Sequence, residues 1–315
     1  MLDDLAPADE PTVELPPKVP EEKKPRVWTV FAAFAISLFG AVAFQAALVL
    51  ILLAWWTAQG AAPKEVIDEL PKRLGGLGMF ILLASCGQLA MLLTILAAAR
   101  MSPSPWRERL GLVPPRLSWR VNLLAMAGSL VPLTLGFAIA SPLSELLPAD
   151  PTVLTLFESM TPVDWIAFIL FIATVPAVIE EIMFRGYMQR RLLERWRPLA
   201  AIGVTSGLFA MMHVMPLAIV ALFPLSVWLG VVAWRTGSVY PSMLCHAFIN
   251  GGVNAWRMVV KLGEWSETVQ VLALSVVMVG SAVCLVLACR GLFGEQAEPV
   301  AGAGELTGNR EAVGG

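Results

Sequence analysis

Eight apolar runs, most of them about twenty residues or longer, follow one another between Trp28 and Leu292. A helix rises ~1.5 Å per residue and the hydrocarbon core of a bilayer is ~30 Å thick, so about 20 apolar residues make one crossing. The runs predict membrane helices at about 28–56, 76–99, 121–147, 163–189, 199–215, 216–234, 239–260 and 267–292. The fourth is unusual, because helical pattern continues from Val163 to Trp196 and carries charge along its second half. The fifth and sixth meet at Pro216 with almost no loop between them. The fold class is therefore all-α, a polytopic membrane protein of about eight transmembrane helices.

Composition closes off the other classes. Hydrophobic residues make up 57% of the 315-residue chain and charged ones only 15%, too few charges to coat a water-facing surface. The net charge of −2 offers no basic patch to a polyanion, so nucleic acid is excluded as a partner and the lipid bilayer is implied as one. The four cysteines (Cys86, Cys245, Cys284, Cys289) sit inside apolar runs without metal or disulfide spacing and read as packing residues. A Pro- and charge-rich tail over 1–25 and a Gly/Glu/Ala-rich tail over 294–315 bury too little to fold and are expected to be disordered. They flank a helical membrane domain over 26–293.

Lys and Arg in the loops give the orientation. With the N-terminus inside, sixteen of them fall on inner segments and five (Lys64, Lys72, Arg73, Arg257, Lys261) on outer ones, with Arg185 inside the membrane. The positive-inside rule then places both termini in the cytosol. Arg190, Arg191, Arg195 and Arg197 serve as topology determinants in this reading. Trp55, Trp56, Trp165, Trp196 and Trp256 lie near predicted span ends, as interfacial belts require. Heavy Ala and Arg-over-Lys usage points to a bacterial cytoplasmic membrane.

An ionisable side chain within a span costs ~2.5–3.5 kcal/mol or more, which makes each one a functional candidate. Three clusters qualify: Glu180-Glu181 with Phe184-Arg185-Gly186, Phe209 with His213, and His246 with Asn250; they hold both of the chain's histidines. Glu181 and Arg185 are i, i+4 and share a helix face, so they can neutralise each other. Glu180 is turned ~100° away and must find its partner on another helix, the situation of a general base. Pro176 removes a backbone donor four residues earlier and can kink the helix to aim Glu180 inward. His246 and Asn250 are again i, i+4, two hydrogen-bonding tips that could hold an oxyanion. Plainer readings exist for each: an interfacial charge pair, a packing histidine, an asparagine joining two helices.

The three clusters, in this order, resemble the CPBP family: the CAAX proteases and bacteriocin-processing (Abi) intramembrane endopeptidases, of glutamic or metallo type. Glu180, Glu181, Phe184, Arg185 and Gly186 fill its E-E-x-x-x-R and F-R-G motif, Phe209 and His213 its F-x-x-x-H, and His246 and Asn250 its H-x-x-x-N, after a Thr236-Gly237-Ser238 turn. The resemblance covers about residues 160–255. It implies a conical intramembrane cavity open to the cytosolic side and hydrolysis of a peptide bond in a membrane-associated protein or peptide. Glu180 and His213 would activate water, His246 and Asn250 would stabilise the tetrahedral intermediate, and Glu181, Arg185 and Phe209 would support the site. Eukaryotic relatives trim prenylated C-termini; bacterial ones are tied to bacteriocin maturation or self-immunity. A metal-free reaction is the expectation, with no cofactor required. If zinc were bound, Glu180, His213 and His246 would be its ligands. Two alternatives stand beside the protease: a non-proteolytic scaffold or self-immunity protein on the same fold, and a proton-coupled transporter relaying through Glu180 and His213. Against the transporter, no repeated halves are visible.

Overall fold

A computed structural model describes residues 26–101, 105–147 and 156–294. The two tails expected to be disordered lie outside the described residues, apart from Gly294. Among the described residues every regular element is helical. We number the longer ones α1 (Trp28–Ala58), α2 (Pro63–Leu74), α3 (Leu77–Arg100), α4 (Trp119–Leu143), α5 (Pro162–Leu193), α6 (Pro198–Met211), α7 (Pro216–Thr236), α8 (Tyr240–Leu262) and α9 (Glu267–Phe293).

Six of these are long and apolar enough to cross a membrane: α1, α3, α4, α5, α7 and α9. The chain is an all-α polytopic membrane protein, and the expected count of about eight is not reached by that measure. Helix α6 is apolar but has 14 residues, about 21 Å of helix. Helix α8 has 23 residues, and His246, Asn250, Asn254, Arg257 and Lys261 dilute its apolar character. Large apolar side chains project outward from α1 and α9, among them Phe39, Ile51, Val276 and Val279. A surface of that size and chemistry belongs against lipid. Helix α2 was not expected. It is a short amphipathic segment beginning with Pro63 in the first turn, a position where the missing N–H costs nothing. Trp165, read as interfacial, is instead buried and stacks on Phe157.

Helix α5 is the axis of the bundle, packed against α3, α6, α7 and α8. It starts with a capping box: the Thr161 hydroxyl accepts from the Asp164 amide, and the Thr161 amide donates to the Asp164 carboxylate. Pro162 follows at the first helical position, and both devices satisfy or remove orphan donors. From Ile182 to Gln189 the helix widens into π geometry, a form concentrated at functional sites. Within this stretch Gly186 lets the Leu110 carbonyl lie directly against α5, where any Cβ would collide with it.

Two apolar clusters flank the axis. One joins α1, α3, the π segment of α5 and α6 through Val30, Ile95, Met183 and Phe209. The other joins α4, α7, α8 and α9 through Leu133, Leu229, Ile249 and Ala288. The basic connections gather at one end of the bundle. There the Arg116 amide meets the Thr236 carbonyl, Arg190 Nη1 donates to the Gly237 carbonyl, Arg109 approaches Glu194, and Arg235 Nε donates to the Leu292 carbonyl.

Candidate active site

The polar groups of the three clusters meet on the seam between the two apolar clusters. Arg185 Nη1 donates to Glu181 Oε1 at 2.8 Å, and its Nη2 donates to the Ser226 carbonyl and hydroxyl at 2.9 and 2.8 Å. The guanidinium also lies 4.5 Å from the Phe209 ring centre, a cation–π contact in a dry site. One turn further, Gln189 Nε2 donates to the Gly230 carbonyl at 2.8 Å. These bonds let α5 bury ionised groups against α7, since a charge in this setting is tolerated only when paired and hydrogen-bonded.

Glu181 has a second neighbour. His246 Nδ1 stands 3.0 Å from the same Oε1 atom, and His246 Nε2 stands 3.9 Å from Glu180 Oε2. The two adjacent glutamates therefore bracket one imidazole, Glu181 from within the bundle and Glu180 from the cavity side. Glu180 Oε1 accepts from Gln88 Nε2 of α3 at 2.8 Å. An ionised carboxylate only accepts, so the Gln88 amide nitrogen must face it, which leaves Gln88 Oε1 buried without a protein donor.

Asn250 is positioned differently from an unengaged oxyanion donor. Its Nδ2 donates to the Ile172 carbonyl at 3.0 Å, so one of its two amide hydrogens is committed to α5. His213 lies just past the end of α6, with Nδ1 at 3.3 Å from the Phe209 carbonyl. Phe209 packs against both histidines, its ring centre 5.3 Å from that of His213 and 5.7 Å from that of His246. The next residue, Val214, has φ +62°, a left-handed conformation that a β-branched residue strongly resists.

Glu180, Gln88, Phe209, His213, His246 and Asn250 all line one cavity of about 990 Å³, large enough for several side chains of a peptide. Its lining continues to Leu74, Gly75, Leu156, Val214 and Arg257, at the opposite end of the bundle from the clustered arginines. Two sequence expectations are thus in conflict: arginine-rich ends in the cytosol, and a cavity open to the cytosol.

Among the described residues no group of three or more His, Cys, Asp or Glu side chains gathers as a metal site. Glu180 Oε2 and His246 Nε2 face each other across 3.9 Å, and among the described residues no third such side chain completes a ligand group with them. The set does not fit a three-ligand zinc site.

Of the seven residues that the sequence brought forward, Glu180, Phe209, His213, His246 and Asn250 line the cavity, while Glu181 and Arg185 are fully buried beside it. Sequence reasoning missed Gln88, Ser226 and Gln189. Gln88 is an uncharged amide in the middle of an apolar run, with no helical spacing that ties it to the three clusters.

Residues 162–252 match the family model described as type II CAAX prenyl endopeptidase Rce1-like, consistent with the CPBP/CAAX protease family and with the three motifs. No curated protein and no solved structure matches the chain significantly. The match to a CAAX protease family model, within an apolar helical bundle, supports an integral membrane protein with a peptidase function.

Proposed function

We propose that the chain is an intramembrane endopeptidase that hydrolyses a peptide bond of a membrane-associated protein or peptide with water activated by a carboxylate and an imidazole. The observation that carries this reading is the 3.9 Å gap between Glu180 Oε2 and His246 Nε2. That gap is too long for a direct hydrogen bond and suits one water bridging two acceptors.

The tautomer follows from the partners. Glu181, ion-paired to Arg185, can only accept, so His246 Nδ1 carries the hydrogen, and in the neutral imidazole Nε2 keeps its lone pair. This is the carboxylate–imidazole relation that holds a histidine base in orientation and stabilises the imidazolium once it forms. A water in the gap gives one hydrogen to Glu180 and the other to His246, turning its oxygen toward the scissile carbonyl. As the new C–O bond forms, one of the two bases takes the proton. The proton then passes to the departing amine nitrogen as the C–N bond breaks. His213, with Nδ1 held by the Phe209 carbonyl, keeps a free acceptor nitrogen and suits the water-activating role implied by the resemblance. With both ring Nδ1 hydrogens engaged and Nε2 acting as acceptor, the histidines offer no hydrogen to the oxyanion. The second amide hydrogens of Asn250 and Gln88 are the donors left for that charge.

No step requires a metal, and no cofactor is part of the proposal. The test is cleavage of membrane-protein peptides by the purified full chain in detergent, alongside a comparison of membrane proteomes from cells carrying the wild-type chain or Glu180→Gln. Glu180→Gln and His246→Ala should each lower the rate by ~10²–10⁴ while the protein still accumulates. Wild-type cleavage by Glu180→Gln would refute the assignment, and an unaltered cellular effect with that variant would favour a scaffold.

A further inference from the structure

The cavity is sealed at one end and open at the other. The seal is a polar ladder on α5: Glu181, Arg185 and Gln189 are 0%, 1% and 1% exposed, and the latter two bond across to α7 at Ser226 and Gly230. Behind that ladder stand Arg190 and the other arginines that tie the helix ends together. In the opposite direction exposure climbs, from a Glu180 side chain 13% exposed to Val214 at 65%. Helix α8 lines this route with Asn250, Asn254 and Arg257, a polar strip along one wall that can be wetted.

We infer that water and substrate reach the site from the arginine-poor face of the bundle, which the sixteen-to-five split of Lys and Arg makes the extracytosolic face. The molecule admitted is a membrane-anchored or exported polypeptide that presents its scissile segment from the outer side. A segment presented from the cytosol meets the ladder and the arginine-rich ends instead. The side of access stands on geometry and charge; that the molecule admitted is a substrate rests on the endopeptidase reading.

The test is cysteine labelling in the full chain, with Cys86, Cys245, Cys284 and Cys289 replaced by serine or alanine. Ala84→Cys probes the cavity wall, and Arg195→Cys marks the arginine-rich end. A charged, membrane-impermeant thiol reagent should modify Ala84→Cys in intact cells, and modify Arg195→Cys only in inverted membrane vesicles. Reaction of both from the same side would overturn the inference, as would the reverse pattern. Failure of Ala84→Cys to react from either side would overturn it too. Labelling needs no catalysis, whereas cleavage in detergent has no sidedness, so the two proposals fail separately.

Discussion

Asn250 donates its side-chain amide to the carbonyl of Ile172, 3.0 Å away, and that is the carbonyl which Pro176, four residues on, leaves without its helical partner. The proline break in α5 and the asparagine of α8 are therefore one device. Leaving a half-buried carbonyl unpaired costs up to ~1–3 kcal/mol, so Asn250→Ala should destabilise the protein by no more than that amount, whatever it does to the chemistry. Pro176→Ala restores an N–H to Ile172 and should recover part of the loss when combined with Asn250→Ala. A double-mutant cycle by thermal unfolding in detergent measures the coupling; additive effects would separate the two residues.

Gln88 orients Glu180 from outside the family-matched segment. Gln88→Leu removes a hydrogen bond to a charged group, worth ~1.5–3 kcal/mol, and should lower kcat by roughly 10- to 100-fold with little change in KM. Gln88→Glu should be worse, because it sets a second carboxylate against the first. Steady-state kinetics on one cleavable peptide decides it; a loss confined to KM would make Gln88 a binding residue.

Arg185 neutralises Glu181 in a site closed to water. Arg185→Ala should cost ~3–5 kcal/mol by leaving that carboxylate buried and unpaired, with a visible fall in membrane yield. Glu181→Gln combined with Arg185→Met removes both charges and should restore yield without restoring cleavage, since His246 loses the carboxylate behind it. Recovery of activity in the double variant would contradict the carboxylate–imidazole reading.

Val214 holds a left-handed backbone immediately after His213, a strain of ~1–3 kcal/mol for a residue of this type. Val214→Gly should raise the unfolding temperature and lower kcat, because the turn that places His213 becomes free to rearrange. A gain in both stability and rate would show that the strain does not serve the site.

Exhaustive chelation should leave cleavage unchanged, and elemental analysis of the purified chain should find well under one zinc per molecule. Activity lost on chelation and restored by zinc alone would move the reaction to a metal-assisted class.

Six of the eight expected spans qualify by length and composition, and these were legible because continuous apolar runs and flanking arginines are local signals. The Glu181–Arg185 pair was legible for the same reason, being one helical turn. Helix α2 was not, since twelve amphipathic residues carry no span-length apolar run. The π widening from Ile182 left no trace in composition. The bonds Gln88–Glu180 and Asn250–Ile172 join residues 92 and 78 positions apart, and helical periodicity says nothing about which faces meet at such distances. Asn250 was read both as an oxyanion donor and as an asparagine joining two helices; the structure shows the joining bond, but its partner, the carbonyl left open by Pro176, lies on a different helix and was not legible.

The Glu181–Arg185–Gln189 ladder has an electrical consequence. Moving one elementary charge across the full membrane potential is worth ~2.3 kcal/mol per 100 mV, and a wet passage through the bundle would dissipate that gradient as an ion leak. The ladder makes the chamber a blind well, with side chains locked to α7 where a pore would need mobile water. A hydrolase can thus keep water at the middle of an energised bilayer and still leave the membrane insulating.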